Sequence, residues 1–397
     1  MQDSGRPLTL EQALSLAEQN NPQLRDSSAA VEQARAGIQK AKAYTNPSIE
    51  FLAGNQSARP IATPGVPGLL QHYNASQTIE IPSERRARIK ASKLEFVSSE
   101  YQEKGVRLSV IAEVKHAFYD VLRRKEEVRH AKENFALVED LRRRVSVEVN
   151  VGEKGRLELT RAEAELARAR SQVNSAEIEL ANSQAILRAV MGAPPGTNFD
   201  PQGSLDNRVQ LAPLDQLRTV VLASHPALSE SKALTARSQA VAVDQRALRI
   251  PQPTFYGEYE VQPDITFYRF GVNIQLPLWD RRKGQIAEAD AQIKRSEAAE
   301  KRRELEITAA LERAYDQYKI SDEQVESLQA GSLHEAQAAV DAARSAYKFG
   351  ERGILEVLDA QRVLQGVRDD LLDAMYARES AWIDLEELGV TPVGGGL

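Results

Sequence analysis

The sequence predicts a mainly α-helical protein built as an internal duplication, with a small β-barrel assembled from short amphipathic strands. Three observations predict this. Two stretches of 69 residues, Ser83 to Val151 and Arg281 to Phe349, contain no proline and at most two glycines. The hairpin-tip segments and the helices that follow them recur at an offset of 198 residues, as at Gly152 and Gly350. Between helices the hydrophobic period changes to strict alternation, and a proline marks each change.

Each repeat reads in the same order. Residues 1–198 predict a helix, strands at about 48–56 and 70–82, a long helix at 83–150 and a helix at 156–191. Residues 199–397 predict a helix, strands at about 253–261 and 265–277, a long helix at 281–348 and a helix at 354–388. Leu10-Glu11-Gln12 and Leu214-Asp215-Gln216 open the first helices. These run into Asn21-Pro22 and His225-Pro226, where a proline predicts a break or kink.

The strands follow. Tyr73, Ala75, Ile79 and Ile81 alternate with His72, Asn74, Thr78 and Glu80. Tyr268, Phe270, Val272, Ile274 and Leu276 alternate with Arg269, Gly271, Asn273 and Gln275. Ile49-Glu50-Phe51 and Phe255-Tyr256-Gly257-Glu258-Tyr259 begin their partners. Six of the 9 Phe and 11 Tyr lie between 255 and 270, which suits a barrel wall with interfacial girdles. Pro47, Pro82, Pro251 with Pro253, and Pro277 sit at the strand–helix junctions, since proline neither donates to a ladder nor continues a helix. Arg59 to Gly68 and Val261 to Asp264 cap the two hairpins.

The long helices are rich in Ala, Glu, Lys, Arg, Gln and Leu and would each reach about 100 Å, a coiled-coil length. Each ends at a glycine pair. Val151-Gly152-Glu153-Lys154-Gly155-Arg156-Leu157-Glu158-Leu159 matches Phe349-Gly350-Glu351-Arg352-Gly353-Ile354-Leu355-Glu356-Val357, and both read as tight hairpin tips with glycine free to take positive φ. The returning helices carry a heptad seam. It runs through Leu159, Ala162, Leu166, Ala169, Val173, Ala176, Leu180, Leu187 and Val190, with Ser183 interrupting. Its twin runs through Val357, Ala360, Leu364, Val367, Leu371, Ala374, Ala381, Leu385 and Leu388, with Arg378 interrupting. The longer partner helix shows a similar seam at Leu94, Val97, Tyr101, Leu108, Ile111, Phe118 and Leu122. Residues 192–213, dense in Pro and Gly, link the halves.

Composition removes whole classes of function. A net charge of −6 and a pI near 5.7 argue against nucleic-acid binding. The absence of Cys removes disulfides, thiolate metal sites and cysteine nucleophiles. No apolar stretch is long enough for a transmembrane helix, and Met1-Gln2-Asp3-Ser4 shows no signal-peptide core. The histidines at 72, 116, 130, 225 and 334 have no metal-site spacing, and no phosphate loop or Ser/His/Asp turn is present, so neither enzyme, cofactor nor resident metal is expected. Four strands cannot close a barrel, and an open edge cannot face lipid. Two chains would supply eight strands and three would supply twelve; only the larger barrel leaves room for a water path.

The combination resembles the TolC-like outer membrane efflux family over essentially the whole chain, most specifically through Tyr347-Lys348-Phe349-Gly350-Glu351-Arg352-Gly353-Ile354-Leu355-Glu356-Val357-Leu358-Asp359-Ala360 and its twin from Val149 to Ala162. The resemblance implies a homotrimer in the outer membrane lipid. Its twelve-stranded barrel would continue into an α-helical tunnel through the periplasm, forming a passive exit duct. The tunnel's tips would meet a periplasmic adaptor coupled to an inner-membrane transporter. Ile274-Gln275-Leu276-Pro277-Leu278-Trp279-Asp280-Arg281-Arg282 and Ile79-Glu80-Ile81-Pro82-Ser83-Glu84-Arg85-Arg86 look like the heavy-metal branch, which exports cobalt, zinc or cadmium ions. Many members carry an N-terminal lipidated Cys, which has no counterpart here. The duct of a type I protein secretion system shares the architecture. A soluble coiled-coil scaffold would explain the helices and leave the strands without a reason.

By the same resemblance a closed periplasmic gate would be held by Tyr347, Arg352 and Glu158, with Glu356 and Asp359 as carboxylate collars at the pore mouth. Glu stands at 158 and 356 where the family usually has Asp. Spacing alone reads Glu356 and Asp359 as solvated charge on one helix face. Gly152, Gly155, Gly350 and Gly353 would form the adaptor-docking tips, and Arg161 stands where the second repeat has Asp359.

Overall fold

The computed structural model describes residues 5–57 and 68–392. The chain runs β1 (Arg6–Leu8), α1 (Leu10–Asn20), α2 (Pro22–Lys42), β2 (Ser48–Gln56), β3 (Gly68–Thr78), α3 (Pro82–Asn150) and α4 (Arg156–Val190) in the first half. It continues with β4 (Phe199–Pro201), α5 (Leu214–Ser224), α6 (Pro226–Ala247), β5 (Pro253–Val261), β6 (Thr266–Ile274), α7 (Lys283–Ser327), α8 (Leu333–Lys348) and α9 (Ile354–Glu387). Residues 59–67, expected to cap the first hairpin, lie outside the described residues, as does the segment 1–4 read for a signal peptide.

Local chemistry explains the boundaries. Thr9 and Gln12 form a reciprocal capping box at the start of α1, with bonds of 3.0 and 3.3 Å. The helix breaks expected at Pro22 and Pro226 are present between α1 and α2 and between α5 and α6. Pro82 is itself the first residue of α3, the helical position that tolerates a missing N–H. Strands expected to reach 82 and 277 stop at Thr78 and Ile274, because alternation outlasts the ladder. The second long helix runs on from Lys283 to Lys348 but changes its hydrogen-bond pattern part-way. A π-helical turn, Leu328–Ser332, separates α7 from α8 and contains Gly331, whose low helix propensity weakens the i→i−4 ladder there.

The structure has two compact units, and each draws on both repeats. One contains Lys104–His225, Leu305 onward and the residues up to Asp26; the other contains Ser27–Glu103 and Pro226–Glu304. The second unit carries a four-stranded antiparallel sheet in the order β2-β3-β5-β6, so the halves join through β3 and β5 and both outer edges are open among the described residues. Its register lines up Phe51, Tyr73, Tyr259 and Tyr268 in one row across all four strands. Successive ring centroids are 4.8, 5.9 and 4.9 Å apart. Ile49, Phe255, Phe270 and Val272 share that face, while Glu50, Asn74, Glu258 and Arg269 form a row on the other. The apolar face is bare in the single chain: Phe270 is 87% exposed.

The first unit has a core built from Val110, Val114, Phe118 and Val121 of α3 with Leu187, Met191, Leu205 and Ile383. Here the buried stripe of α3 is Val110, Val114, Phe118 and Val121; Leu108 and Ile111 of the expected seam are only half-buried. The interruptions in the other seams are filled in different ways. Ser183 is buried and donates to the Leu180 carbonyl at 3.0 Å, and Arg378 is buried in an ion network. Arg378 bridges Asp206 of the segment linking the two repeats at 2.9 Å and Asp322 of α7 at 3.1 Å. The same linker is fastened by the Tyr318 hydroxyl, which accepts from the Val209 N–H at 2.7 Å and donates to its carbonyl at 2.8 Å. A short parallel pair, β1 with β4, ties the linker to the chain start.

Candidate functional site

The two hairpin tips are built by the same backbone device. Gly152 has φ 82° and Gly350 has φ 74°, the left-handed conformation that an L side chain rarely takes. Around Gly152 the Glu153 N–H donates to the Glu148 carbonyl at 2.9 Å and the Gly152 N–H to the Val149 carbonyl at 3.2 Å. Around Gly350 the Glu351 N–H donates to Ala346 at 2.9 Å and the Gly350 N–H to Tyr347 at 3.0 Å. Both are Schellman closures, repeated residue for residue at the 198 offset. Gly155 and Gly353 then serve as extended N-caps of α4 and α9. Nothing lies within 4 Å of where a Cβ would stand on Gly152, Gly155 or Gly350. Val151, Leu157, Phe349 and Leu355 stand exposed around these turns, two from each tip.

Beneath the tips the hairpins share an apolar cluster of Leu141, Val145, Ala162, Ile354, Val357 and Leu358, with Tyr347 packed against it. The Tyr347 hydroxyl donates to Glu148 at 2.6 Å. Burial pushes the Tyr347 pKa up, and the bond to Glu148 with the charges of Glu148 and Glu158 pushes the same way, against Arg144. The Lys154 ammonium lies 5.6 Å from the tyrosine ring centroid. Tyr347 and Glu148 line a cleft of about 530 Å³ with Asp140, Arg144 and Arg344.

Of the five gate candidates, the structure brings Tyr347 near Glu158 and leaves the others apart. Tyr347 bonds Glu148, one helical turn before the tip, and not Glu158. One carboxylate oxygen of Glu158 is buried without a partner among the described residues. Arg352 is exposed and makes no hydrogen bond or ion pair with another described residue. Glu158 and Glu356 occupy equivalent places in the first turns of α4 and α9, where an acid complements the helix dipole. Asp359 is exposed and pairs with Arg362 at 3.1 Å, and Arg362 reaches Glu165 of α4 at 2.7 Å.

The sequence offers no motif that singles out Glu148, Arg362 or Glu165, and it shows Lys154 only as a member of the tip segment. The signal for Glu148 was available: the repeat offset sets Tyr347 level with Val149, next to Glu148. Among the described residues no group of three or more His, Cys, Asp or Glu is placed to hold a metal ion, and no helix is long and apolar enough to cross a membrane.

Residues 13–193 and 217–389 match the profile of the family described as outer membrane efflux protein. The chain is 27% identical to the cobalt-zinc-cadmium resistance protein CzcC of Cupriavidus metallidurans, over 91% of this chain and 85% of that one. It is 26% identical to the nickel-cobalt-cadmium resistance protein NccC of Alcaligenes xylosoxydans, over 79% and 70% of the two chains. The crystal structure of CusC superposes with a TM-score of 0.82 at 20% identity, covering 96% of this chain and 91% of that one. The Campylobacter jejuni CmeC outer membrane channel gives 0.83 at 19% identity, covering 96% and 85%.

Proposed function

The chain belongs to the outer membrane efflux protein family, and from that premise we propose that three copies form the passive exit duct of a tripartite pump for heavy-metal cations. One observation carries the assembly. The four-stranded sheet has one apolar face, one polar face and two open edges among the described residues. A sheet of this kind is stable in lipid only when its edges are joined to other copies, and twelve strands enclose a water path where eight would be filled by side chains. Glu50, Glu258 and Arg269 then face the lumen, and the aromatic row faces lipid.

In this reading each sequence repeat contributes two strands and one helical hairpin, and the hairpins form the periplasmic tunnel. The exposed Val151, Leu157, Phe349 and Leu355 ring the glycine turns at its end and receive the adaptor, which links the duct to an inner-membrane transporter. Tyr347, Arg352, Glu158, Glu356 and Asp359 form the gate. Among the described residues Arg352 is exposed with no side-chain partner and one Glu158 oxygen is unbonded, which supports links made between neighbouring chains. Cobalt, zinc and cadmium as cargo rest on the likeness to CzcC and NccC. The duct performs no chemistry; it lets the cation pass carboxylates without holding it.

Two measurements test this. Light scattering of the detergent-solubilised protein should give a protein mass of three 43.9 kDa chains; a detergent-free soluble monomer would overturn the assembly. Deleting the gene should sensitise its host to cobalt, zinc and cadmium, with resistance restored by the intact chain. Unchanged metal tolerance alongside loss of a secreted protein would favour the type I secretion duct.

A further inference from the structure

The strands carry an aromatic row at only one end of the sheet. On the apolar face, Phe51, Tyr73, Tyr259 and Tyr268 form the second row from the β5–β6 turn and the third from the turn end of β2–β3. At the helix-bearing end that face continues through Phe270, through Val272 opposite Phe255, and through Ile274 to Leu276, with no second row of aromatics across all four strands. A membrane barrel has an apolar band of about 25 Å flanked by aromatic girdles on both sides. Tyr268 to Leu276 covers about 27 Å along a strand, or about 20 Å once tilted by about 40°. A second girdle therefore belongs a few residues beyond Leu276.

Trp279 stands there, 94% exposed. Its turn is braced rather than loose. The Leu278 N–H donates to the Leu276 carbonyl at 2.9 Å, and the Arg282 N–H donates to the Asp280 carboxylate at 2.8 Å. The Arg282 guanidinium donates to Gln245 of α6 at 2.8 Å, and Arg282 has φ 55°, a conformation unusual for a residue with a side chain. The fold thus holds an indole and Leu278 out into open space beside the exposed cations Arg281 and Lys283. The first repeat answers with Tyr44, exposed just before β2, whose ring lies 4.2 Å under the Arg85 guanidinium.

We propose that the Leu276–Trp279 turn, together with Tyr44, is the second lipid-interface girdle, seated among phospholipid headgroups at the helix-bearing end of the barrel. This rests on the reading of the sheet as a membrane barrel. An indole has an apolar body and one N–H donor, which suits the headgroup layer, and flanking arginine and lysine match the headgroup phosphates. Continuity with the bare apolar face and this charge match favour lipid over a protein partner.

Only two tryptophans are present, and Trp382 is buried against Tyr318. The Trp382→Phe variant therefore makes Trp279 the single reporter; where that variant fails to fold, the difference between wild type and Trp279→Phe isolates the same signal. The protein is reconstituted into phosphatidylethanolamine–phosphatidylglycerol vesicles carrying bromine near the headgroup end or near the chain terminus. The expected result is blue-shifted Trp279 emission, strongly quenched by the shallow bromines, weakly by the deep ones, and shielded from acrylamide. Water-like emission open to acrylamide overturns the proposal. Blue-shifted emission untouched by either bromolipid also overturns it, since a second chain then covers the indole. Protein that fails to float with the vesicles overturns the barrel reading and this proposal with it, whereas floating protein with unquenched Trp279 overturns this proposal alone.

Discussion

The Tyr347 hydroxyl donates a 2.6 Å hydrogen bond to the Glu148 carboxylate, joining the two repeats at the base of their tips. The bond lies where α3 and α8 approach their Schellman turns, on the edge of a shared apolar cluster. Any movement that separates the hairpins must break it.

Replacing Tyr347 with Phe removes that donor and should cost about 1–2 kcal/mol in urea unfolding, toward the lower range for bonds to charged groups because the site is only half-buried. Arg352→Ser should leave unfolding unchanged, since Arg352 is exposed and makes no hydrogen bond or ion pair among the described residues. The double variant should raise single-channel conductance in planar bilayers. Wild-type conductance in the double variant would place the gate elsewhere.

Neutralising the acids proposed for the pore mouth, Glu356→Gln with Asp359→Asn, should reduce cation preference and weaken block by multivalent cations. Folding should change little, because Arg362 keeps its 2.7 Å pair with Glu165 when Asp359 is lost. Reversal-potential measurements in a salt gradient decide it, and unchanged selectivity would reduce both residues to solvated charges.

The four tip glycines should divide into two classes. Gly152→Ala and Gly350→Ala each force a side chain into the left-handed region at about 1–2 kcal/mol, without a clash. Gly155→Ala and Gly353→Ala, at φ −81° and −84°, should be nearly neutral in thermal unfolding. Bulky residues at Gly152 and Gly350 should abolish export while leaving the assembled protein intact; retained metal resistance would count against docking there.

Arg378→Met should be destabilising, by about 1–3 kcal/mol, because it removes the buried guanidinium's bonds to both acids, although Arg208 still pairs with Asp322 and Asp206 is half exposed to water. Lysine should not rescue it, since one ammonium cannot reproduce the forked contact with both acids. Urea unfolding of the three proteins provides the comparison.

Asp369 supplies a pH test. Partial burial, with Glu127, Asp373 and Asp370 nearby, pushes its carboxyl up to about 6 from 3.8. A carboxyl raised in the folded state favours folding while protonated, and that contribution is lost as pH rises through about 6. Asp369→Asn should therefore stabilise above pH 6 and be neutral in acid, by less than about 1 kcal/mol because solvent screens the site. Equal effects at both pH values would refute the charge argument.

The sequence by itself determined the periodic features. Helical stretches, alternating strands, proline junctions and twin glycine tips each follow from local sterics and hydrogen bonding, so they are legible without knowing what lies opposite. The 198-residue offset was enough to pair Gly152 with Gly350 and to level Tyr347 with Val149. Tertiary structure alone decided the partners. It buried Arg378 where a seam seemed merely interrupted, because acids from a linker and from α7 converge on it. It gave Tyr347 to Glu148 rather than Glu158, opened a π-turn in the second long helix, and set one aromatic of each strand in a single row. Period reports which face of an element is covered. Which residue across a helix pair supplies the covering, and at what level, depends on the register between elements, and only packing sets that register.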